Sequence, residues 1–203
     1  MYQLILDHSA LIPCSDKPEE ERKAIEELGN LLPEVEAVWL TTRNYLRVLY
    51  EQGGRCWEEY RKKSRLLPRL QSSLTRTLSE LIKASRSESW LCKPRPLTRS
   101  GDERIRLKIH ILRSGDVDRA LSSLRSWLSD YNLARDNLTD EDLELLAMAV
   151  KAAGGGGGQV LFVTLDRRLI EIIEGLKSGG LLGENLLLLR PSGALRLLQG
   201  APS

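Results

Sequence analysis

The chain alternates between short, continuous apolar runs and longer stretches with the apolar spacing of helices. Four runs have the length and composition of strands buried on both faces of a parallel sheet. They are residues 3–6, 37–40 and 159–164 and Leu186–Leu189. A fifth segment, residues 105–111, alternates Ile and Leu with Arg, Lys and His, which predicts a half-exposed strand and leaves a helix as the alternative.

The segments between these runs carry apolar residues three and four positions apart, as amphipathic helices do. The predicted helices cover residues 18–32, 42–53, 116–131, 139–153, 167–176 and 192–198. In helix 139–153 the predicted inward stripe is Leu143, Leu146, Ala147 and Val150. Strands that alternate with helices predict an α/β fold, a three-layer α/β/α sandwich around a mainly parallel central sheet.

The charge is distributed unevenly around a formal net value of +2. Residues 55–113 hold 16 Lys and Arg against 6 Asp and Glu, whereas the rest of the chain holds 14 against 22. We interpret residues 55–113 as a basic, largely helical insert within a single domain of residues 1–203. A basic surface beside an acidic frame favours a polyanionic partner, although helical inserts also carry Lys and Arg simply as solvated faces.

Composition and local sequence disfavour several classes of protein: membrane-spanning, secreted, zinc-binding and Rossmann-type nucleotide-binding proteins. No apolar run approaches the roughly 20 residues that span a bilayer, and the N-terminus lacks the basic region of a signal peptide. We therefore expect a cytoplasmic protein without a membrane partner. Three separated cysteines and two histidines do not favour a zinc site. The first strand is followed by DHSALIP rather than a glycine-rich turn, which does not favour a Rossmann-type nucleotide binder.

Carboxylates follow two of the predicted strands and open one of the predicted helices. Asp7 and Asp166 end apolar strands, and Asp140, Glu141, Asp142 and Glu144 open the helix that starts at residue 139. The carboxyl ends of parallel strands meet in one crevice, where clustered carboxylates repel one another unless a cation lies among them. Mg²⁺ and Mn²⁺ prefer oxygen ligands and can promote phosphodiester hydrolysis.

Each acid also has a structural interpretation. Thr139-x-x-Asp142 matches a helix capping box, and Asp166 can cap the helix that follows it. Asp7 has no capping role if the apolar residues 10–12 continue only briefly. Their joint occurrence is what favours a metal site.

Three motifs follow one another along the chain: DHSA from Asp7, LTDEDLELLAMA from Leu138, and TLD from Thr164. In this order they resemble the motifs of the PIN domain family of metal-dependent ribonucleases, which includes VapC-type toxins and rRNA-processing enzymes. The resemblance covers residues 1–52 and 114–200. It implies that Asp7, Asp142 and Asp166 are catalytic and bind Mg²⁺ or Mn²⁺.

The resemblance also implies supporting residues and one departure. Ser9 and Thr164 would orient the ligands, and Asp140 would be an outer ligand. The family usually has a glutamate on the helix after the second strand, where this chain has Arg47. Glu51 lies one turn later and Asn44 one turn earlier on the same face, so either Glu51 replaces the missing ligand or Arg47 neutralises the acids.

Three hypotheses follow. The first is an endoribonuclease, and the second is a non-catalytic module that binds RNA or protein through a degenerate acidic site. The third is a toxin in a toxin–antitoxin pair. The partners considered are RNA, an antitoxin or another protein, and a second copy of the chain as a homodimer.

Overall fold

The computed structural model describes residues 1–46, 95–96, 106–130, 138–155 and 158–200. Its centre is a sheet in which five parallel strands follow the order β4-β2-β1-β5-β6, with a two-residue strand, β3, antiparallel to β4 at one edge. The strands are β1 (Tyr2–Leu6), β2 (Ala37–Thr41), β3 (Arg95–Pro96), β4 (Lys108–Ile111), β5 (Val160–Val163) and β6 (Leu186–Leu189). The predicted α/β class and the mainly parallel sheet are confirmed.

We number six of the helices around the sheet: α1 (His8–Leu11), α2 (Glu19–Leu31), α3 (Ser114–Asp130), α4 (Asp140–Ala153), α5 (Arg167–Ser178) and α6 (Pro191–Leu198). Helix α2 packs against α6, whereas α4 packs against α3 and α5. The connection from β1 to β2 runs toward one edge of the sheet, whereas the connections from β4 to β5 and from β5 to β6 run toward the other edge. Because nearly all such crossovers are right-handed, we expect α2 and the group of α3, α4 and α5 on opposite faces. The arrangement is consistent with the predicted three-layer sandwich.

Burial explains why the strand predictions succeeded. Every residue of β2 and β5 is buried, as continuous apolar runs require in a sheet covered on both faces. In β4 the exposure alternates, with Ile109 and Ile111 buried and Lys108 and His110 half-buried. The alternation in residues 105–111 therefore marks a parallel strand paired with β2. Of the predicted helical insert at residues 55–113, the structure describes residues 95–96 and 106–113, and the remaining residues of the insert lie outside the described ranges.

Helix α4 buries a wider face than its predicted stripe. Leu146 and Ala147 are buried as expected, but Leu143 and Val150 are half-buried. Leu145, Met148 and Ala149 are fully buried as well, because α4 lies against the sheet on one side and against α3 on the other. Among the described residues, none of the helices has both the length and the apolar stretch that crossing a membrane requires.

Candidate functional site

The strand order predicts a crevice at the carboxyl ends of the two neighbouring strands β1 and β5. From β1 the chain builds outward to β2 and β4, and β5 and β6 lie on the other side of β1. The order therefore reverses between β1 and β5, and the carboxyl ends of such a pair are where open α/β sheets bind ligands. Asp7 directly follows β1, and Thr164 directly follows β5.

Two hydroxyl groups tie these strand ends together. The Thr164 Oγ1 hydroxyl donates to Oδ2 of Asp7 at 2.7 Å and accepts the backbone N–H of Asp166 at 2.9 Å. The Ser9 hydroxyl donates to the same Asp7 oxygen and accepts the backbone N–H of Leu165 at 2.8 Å. Ser9 and Thr164 thus hold the Asp7 carboxylate in place.

All three candidate aspartates also cap helices. Asp7 accepts the backbone N–H of Ser9 at 3.3 Å and caps α1, so the expectation that Asp7 has no capping role is wrong. Asp166 caps α5 by accepting the backbone N–H of Arg168 at 2.8 Å. Asp142 forms the predicted capping box with Thr139 at the start of α4. These hydrogen bonds fix the position of each carboxylate at the N-terminal end of a helix.

The three aspartates line one cavity of about 380 Å³, which we call the acidic cleft. A fourth acid, Glu141, contributes to its wall. The remaining lining residues are His8, Ser9, Tyr45, Thr139, Leu145 and Arg168. Residues that are far apart in the sequence, from β1, α4 and the β5–α5 turn, therefore converge on a single space.

The charges of the acidic cleft affect one another. Burial raises the pKa of the Asp142 carboxyl above its ordinary value, and the negative charges of Asp7 and Asp166 raise it further, against the lowering effect of the Thr139 hydrogen bonds. The pKa of Tyr45 is raised well above its ordinary value, first by burial and then by Asp7 and Asp142. The Tyr45 hydroxyl donates to the carbonyl of Leu6 at 2.8 Å, so this ring stays neutral.

Two basic residues support the Asp7 turn. Burial lowers the pKa of His8 below its ordinary value, despite the opposing charge of Asp7. Burial likewise lowers the pKa of Lys17. The Lys17 ammonium donates to the carbonyl of Ser9 at 2.7 Å and also to that of Ile12, so it stabilises the C-terminal end of α1.

The other predicted site residues lie in different places. Asp140 is exposed at the first position of α4 and does not line the acidic cleft. Asn44 is exposed and forms a hydrogen bond with the side chain of Glu144. Arg47 and Glu51 lie outside the described residues.

Sequence reasoning named Glu144 only as one of the acids that open α4, and it gave Arg168 no role in the site. The Arg168 guanidinium lies 3.8 Å from Oδ2 of Asp166. Glu144 is half-buried, its pKa is raised by burial, and its side chain hydrogen-bonds with Thr42 and Asn44 across to the start of the helix after β2. The doubled arginine after Asp166 was visible in the sequence, but its orientation toward the cleft depends on the tertiary fold.

The chemistry of the acidic cleft suits a hard cation. Carboxylate and hydroxyl oxygens surround it, which are the donors that Mg²⁺ and Mn²⁺ take. Within the described ranges, no group of three or more His, Cys, Asp and Glu side chains is close enough to hold a metal ion. Mg²⁺ usually keeps several waters and takes only one or two carboxylates directly, so a closed cage of protein ligands is not required for such an ion.

Comparison with models of known protein families, with curated proteins and with solved structures finds no match to this chain.

Proposed function

We propose that this protein is a metal-dependent endoribonuclease of the PIN type, which hydrolyses RNA phosphodiester bonds in the acidic cleft. The observation that carries the proposal is the convergence of Asp7, Asp142 and Asp166 on one cavity. These are the three acids to which the resemblance assigns catalysis. They meet beside the reversal of strand order, where the fold class binds ligands.

Electrostatics supports a cation at this place. Burial is the main reason why the pKa of Asp142 is raised, and the negative charges of Asp7 and Asp166 add to the effect. A divalent ion near Asp7, Asp142 and Asp166 would offset the repulsion. Such an ion would supply the positive charge that lowers the pKa of water and stabilises negative charge on a phosphate.

The chain's own residues would position this chemistry. The hydroxyls of Ser9 and Thr164 hold Oδ2 of Asp7, which fixes the direction of the carboxylate before any ligand binds. Asp142 remains anchored to the backbone N–H of Thr139 at 3.0 Å. Hydrolysis adds the elements of water across one P–O bond of RNA, leaving a phosphate monoester on one fragment and a hydroxyl on the other.

Cleavage of single-stranded RNA in the presence of Mn²⁺ tests the proposal. End-labelled RNA should be cut at internal positions, and chelation of Mn²⁺ should stop the reaction. Asp7→Asn should reduce the rate by on the order of 100-fold or more, because the variant weakens the ligand set. Asp130→Asn, an exposed aspartate at the end of α3, is the matched control and should cut at the wild-type rate.

Equal inactivity of the wild type and Asp7→Asn would refute the nuclease proposal, provided that both proteins unfold cooperatively in urea. Equal activity would also refute it, because cleavage would then come from elsewhere or from a contaminant. A rate that survives chelation would exclude the role of the cation.

A second candidate function is a metal-independent RNA-binding or protein-binding module. It is favoured by the Arg168 guanidinium beside Asp166, which already offsets part of the negative charge. It is also favoured by the finding that, among the described residues, no group of three or more His, Cys, Asp and Glu side chains could hold a metal ion. In that case Mn²⁺ should neither bind measurably nor raise the melting temperature.

The PIN resemblance also suggests, as a proposal, a toxin restrained by an antitoxin. Co-purification of a small partner protein encoded beside this one, with loss of RNA cleavage in the complex, would support that role. Full activity in the presence of the neighbouring gene product would refute it.

A further inference from the structure

We propose that Glu141 is a ligand of the metal ion in the acidic cleft and supplies the carboxylate that the resemblance expects from the helix after β2. This inference deepens the proposed function and rests on it. Glu141 is the second residue of α4 and lines the cleft beside Asp142. The resemblance assigns no role to Glu141, so its place in the cavity is a property of this chain.

The carboxylate of Glu141 differs from those of the three aspartates because the protein does not bind it. Asp7, Asp142 and Asp166 each accept a backbone N–H as a helix cap, at 3.3, 3.0 and 2.8 Å. Within the described ranges, Glu141 makes no hydrogen bond and no ion pair. Both of its carboxylate oxygens can therefore bind a ligand without breaking a contact of the fold.

The surroundings of Glu141 are unfavourable for a carboxylate without a donor. Its side chain is half-buried, and burial of an unpaired charge costs free energy. The three aspartates that line the same cavity add repulsion. The charge of Glu141 also acts inside the cleft, because it adds to burial and to the charges of Asp7 and Asp142 in raising the pKa of Tyr45. A bound cation would offset these costs.

The helix N-terminus explains an acid at position 141 but not its place in the cleft. Asp140, Glu141 and Asp142 all lie in the first turn of α4, where negative charge is stabilising. Asp140 provides such a charge while it is exposed and outside the cleft wall. Stabilisation of α4 therefore does not require that the Glu141 charge lie against the cavity.

Glu141 lies on the side of α4 that faces the helix after β2. Glu144, one turn later on the same face, hydrogen-bonds with Thr42 and Asn44 at the start of that helix. Tyr45, in the first turn of that helix, lines the cleft with Glu141. The resemblance expects a glutamate on this same helix, where the chain has an arginine. Glu141 can supply a carboxylate from that side, and its side chain reaches one methylene further than aspartate.

Calorimetric titration with Mn²⁺ tests the ligand without RNA. Glu141→Gln keeps the size of the side chain and removes its charge, so Mn²⁺ should bind at least about 10-fold more weakly than to the wild type. Glu20→Gln is the matched control, because it removes an exposed glutamate from the first turn of α2. It should bind Mn²⁺ as the wild type does. Glu141→Asp should have intermediate affinity, because aspartate keeps the charge but is shorter.

Thermal unfolding separates a metal ligand from a structural residue. Without metal, Glu141→Gln should melt no lower than Glu20→Gln, because each variant removes one first-turn charge and Glu141→Gln also relieves repulsion. At one fixed concentration of Mn²⁺, the melting temperature of Glu141→Gln should rise less than those of the wild type and Glu20→Gln. A structural role would instead lower the metal-free melting temperature and leave the rise with Mn²⁺ unchanged, which would overturn the inference.

The outcomes separate this inference from the proposed function. Wild-type affinity in Glu141→Gln, a larger loss in Asp140→Asn than in Glu141→Gln, or no binding by the wild type would overturn the role of Glu141. If Asp7→Asn loses Mn²⁺ and Glu141→Gln does not, the metal site stands without Glu141. If Glu141→Gln binds Mn²⁺ weakly but the wild type never cuts RNA, the nuclease proposal fails and the ligand stands.

Discussion

Replacement of Thr164 by valine tests the structural basis of the acidic cleft. Thr164 is fully buried, and its hydroxyl both donates to Asp7 at 2.7 Å and accepts the backbone N–H of Asp166 at 2.9 Å. Valine has nearly the same shape but offers neither bond. Thr164→Val therefore removes one partner from a buried carboxylate and leaves one N–H of the β5–α5 turn without its acceptor.

The magnitude follows from the two bonds. A hydrogen bond to a charged group contributes about 1.5–3 kcal/mol and a neutral one about 1 kcal/mol. The Thr164→Val variant should thus lose roughly 2–4 kcal/mol of unfolding free energy. That is a large part of the 5–15 kcal/mol of an ordinary domain, yet small enough for a folded variant.

Thr164→Ser is the matched control, because serine keeps the hydroxyl and loses one buried methyl group, at a cost of about 1 kcal/mol. Both variants are compared by urea unfolding, with the slope of free energy against urea concentration checked for equality. The reasoning is refuted if valine is as stable as serine at position 164. A lower stability for serine would equally contradict the hydrogen-bond account.

Three further predictions concern other parts of the molecule. Glu21, buried in α2, accepts the N–H of Ser192 at 3.1 Å and its hydroxyl at 2.8 Å, so Glu21→Gln should cost about 1–2 kcal/mol in urea unfolding. The raised pKa of Asp142 makes the folded protein lose stability as pH rises from about 3.8 through that raised pKa. Asp142→Asn, which can still accept the Thr139 N–H, should therefore gain a few tenths of a kcal/mol at pH 7 without metal, and the gain should vanish at pH 3. RNA affinity should fall linearly with the logarithm of salt concentration if the basic residues 55–113 track its backbone.

Controls and contrary results are available for each. Glu20→Gln, an exposed neighbour in α2, should change stability by less than 0.5 kcal/mol in magnitude, on the order expected of surface positions. Equal effects of the Glu20→Gln and Glu21→Gln changes would exclude a stabilising role of the hydrogen bonds between Glu21 and Ser192. A stability loss in Asp142→Asn at pH 7 would contradict the argument that burial and the charges of Asp7 and Asp166 destabilise the Asp142 carboxylate. RNA affinity that is insensitive to salt would exclude backbone tracking by residues 55–113.

The sequence predicted the scaffold because burial on both faces of a sheet leaves a clear local pattern. The apolar runs of β1, β2, β5 and β6 appear within one or two residues of their predicted bounds. Thr139 and Asp142 also form the capping box that their spacing predicts, since capping is a contact between near neighbours.

Contacts that depend on tertiary structure or on very short elements were not predictable in the same way. Helix α1 has four residues, too few for a helical period, so the capping role of Asp7 left no pattern. The Glu21 contact with Ser192 joins helices from opposite ends of the chain. The wide buried face of α4 arises because α3 packs on it from outside the sheet, which its own stripe cannot indicate.

Asp7, Asp142 and Asp166 line the same cavity, but the hydrogen bonds by which they cap helices would be enough to explain why an aspartate stands at each position. Asp7, Asp142 and Asp166 each satisfy a helix N-terminus, and together they line the acidic cleft. Capping explains each aspartate separately. It does not explain why the three negative charges line one cavity, because a cap requires only one of them. Binding of a cation is the property that separates the two explanations.

The most direct test is a calorimetric titration of the metal-free protein with Mn²⁺ at neutral pH. We predict saturable binding by the wild type and by Asp130→Asn, and binding at least about 10-fold weaker in Asp7→Asn. No heat of binding in the wild type, or equal affinity in the wild type and Asp7→Asn, would contradict the claim that the acidic cleft is a metal site.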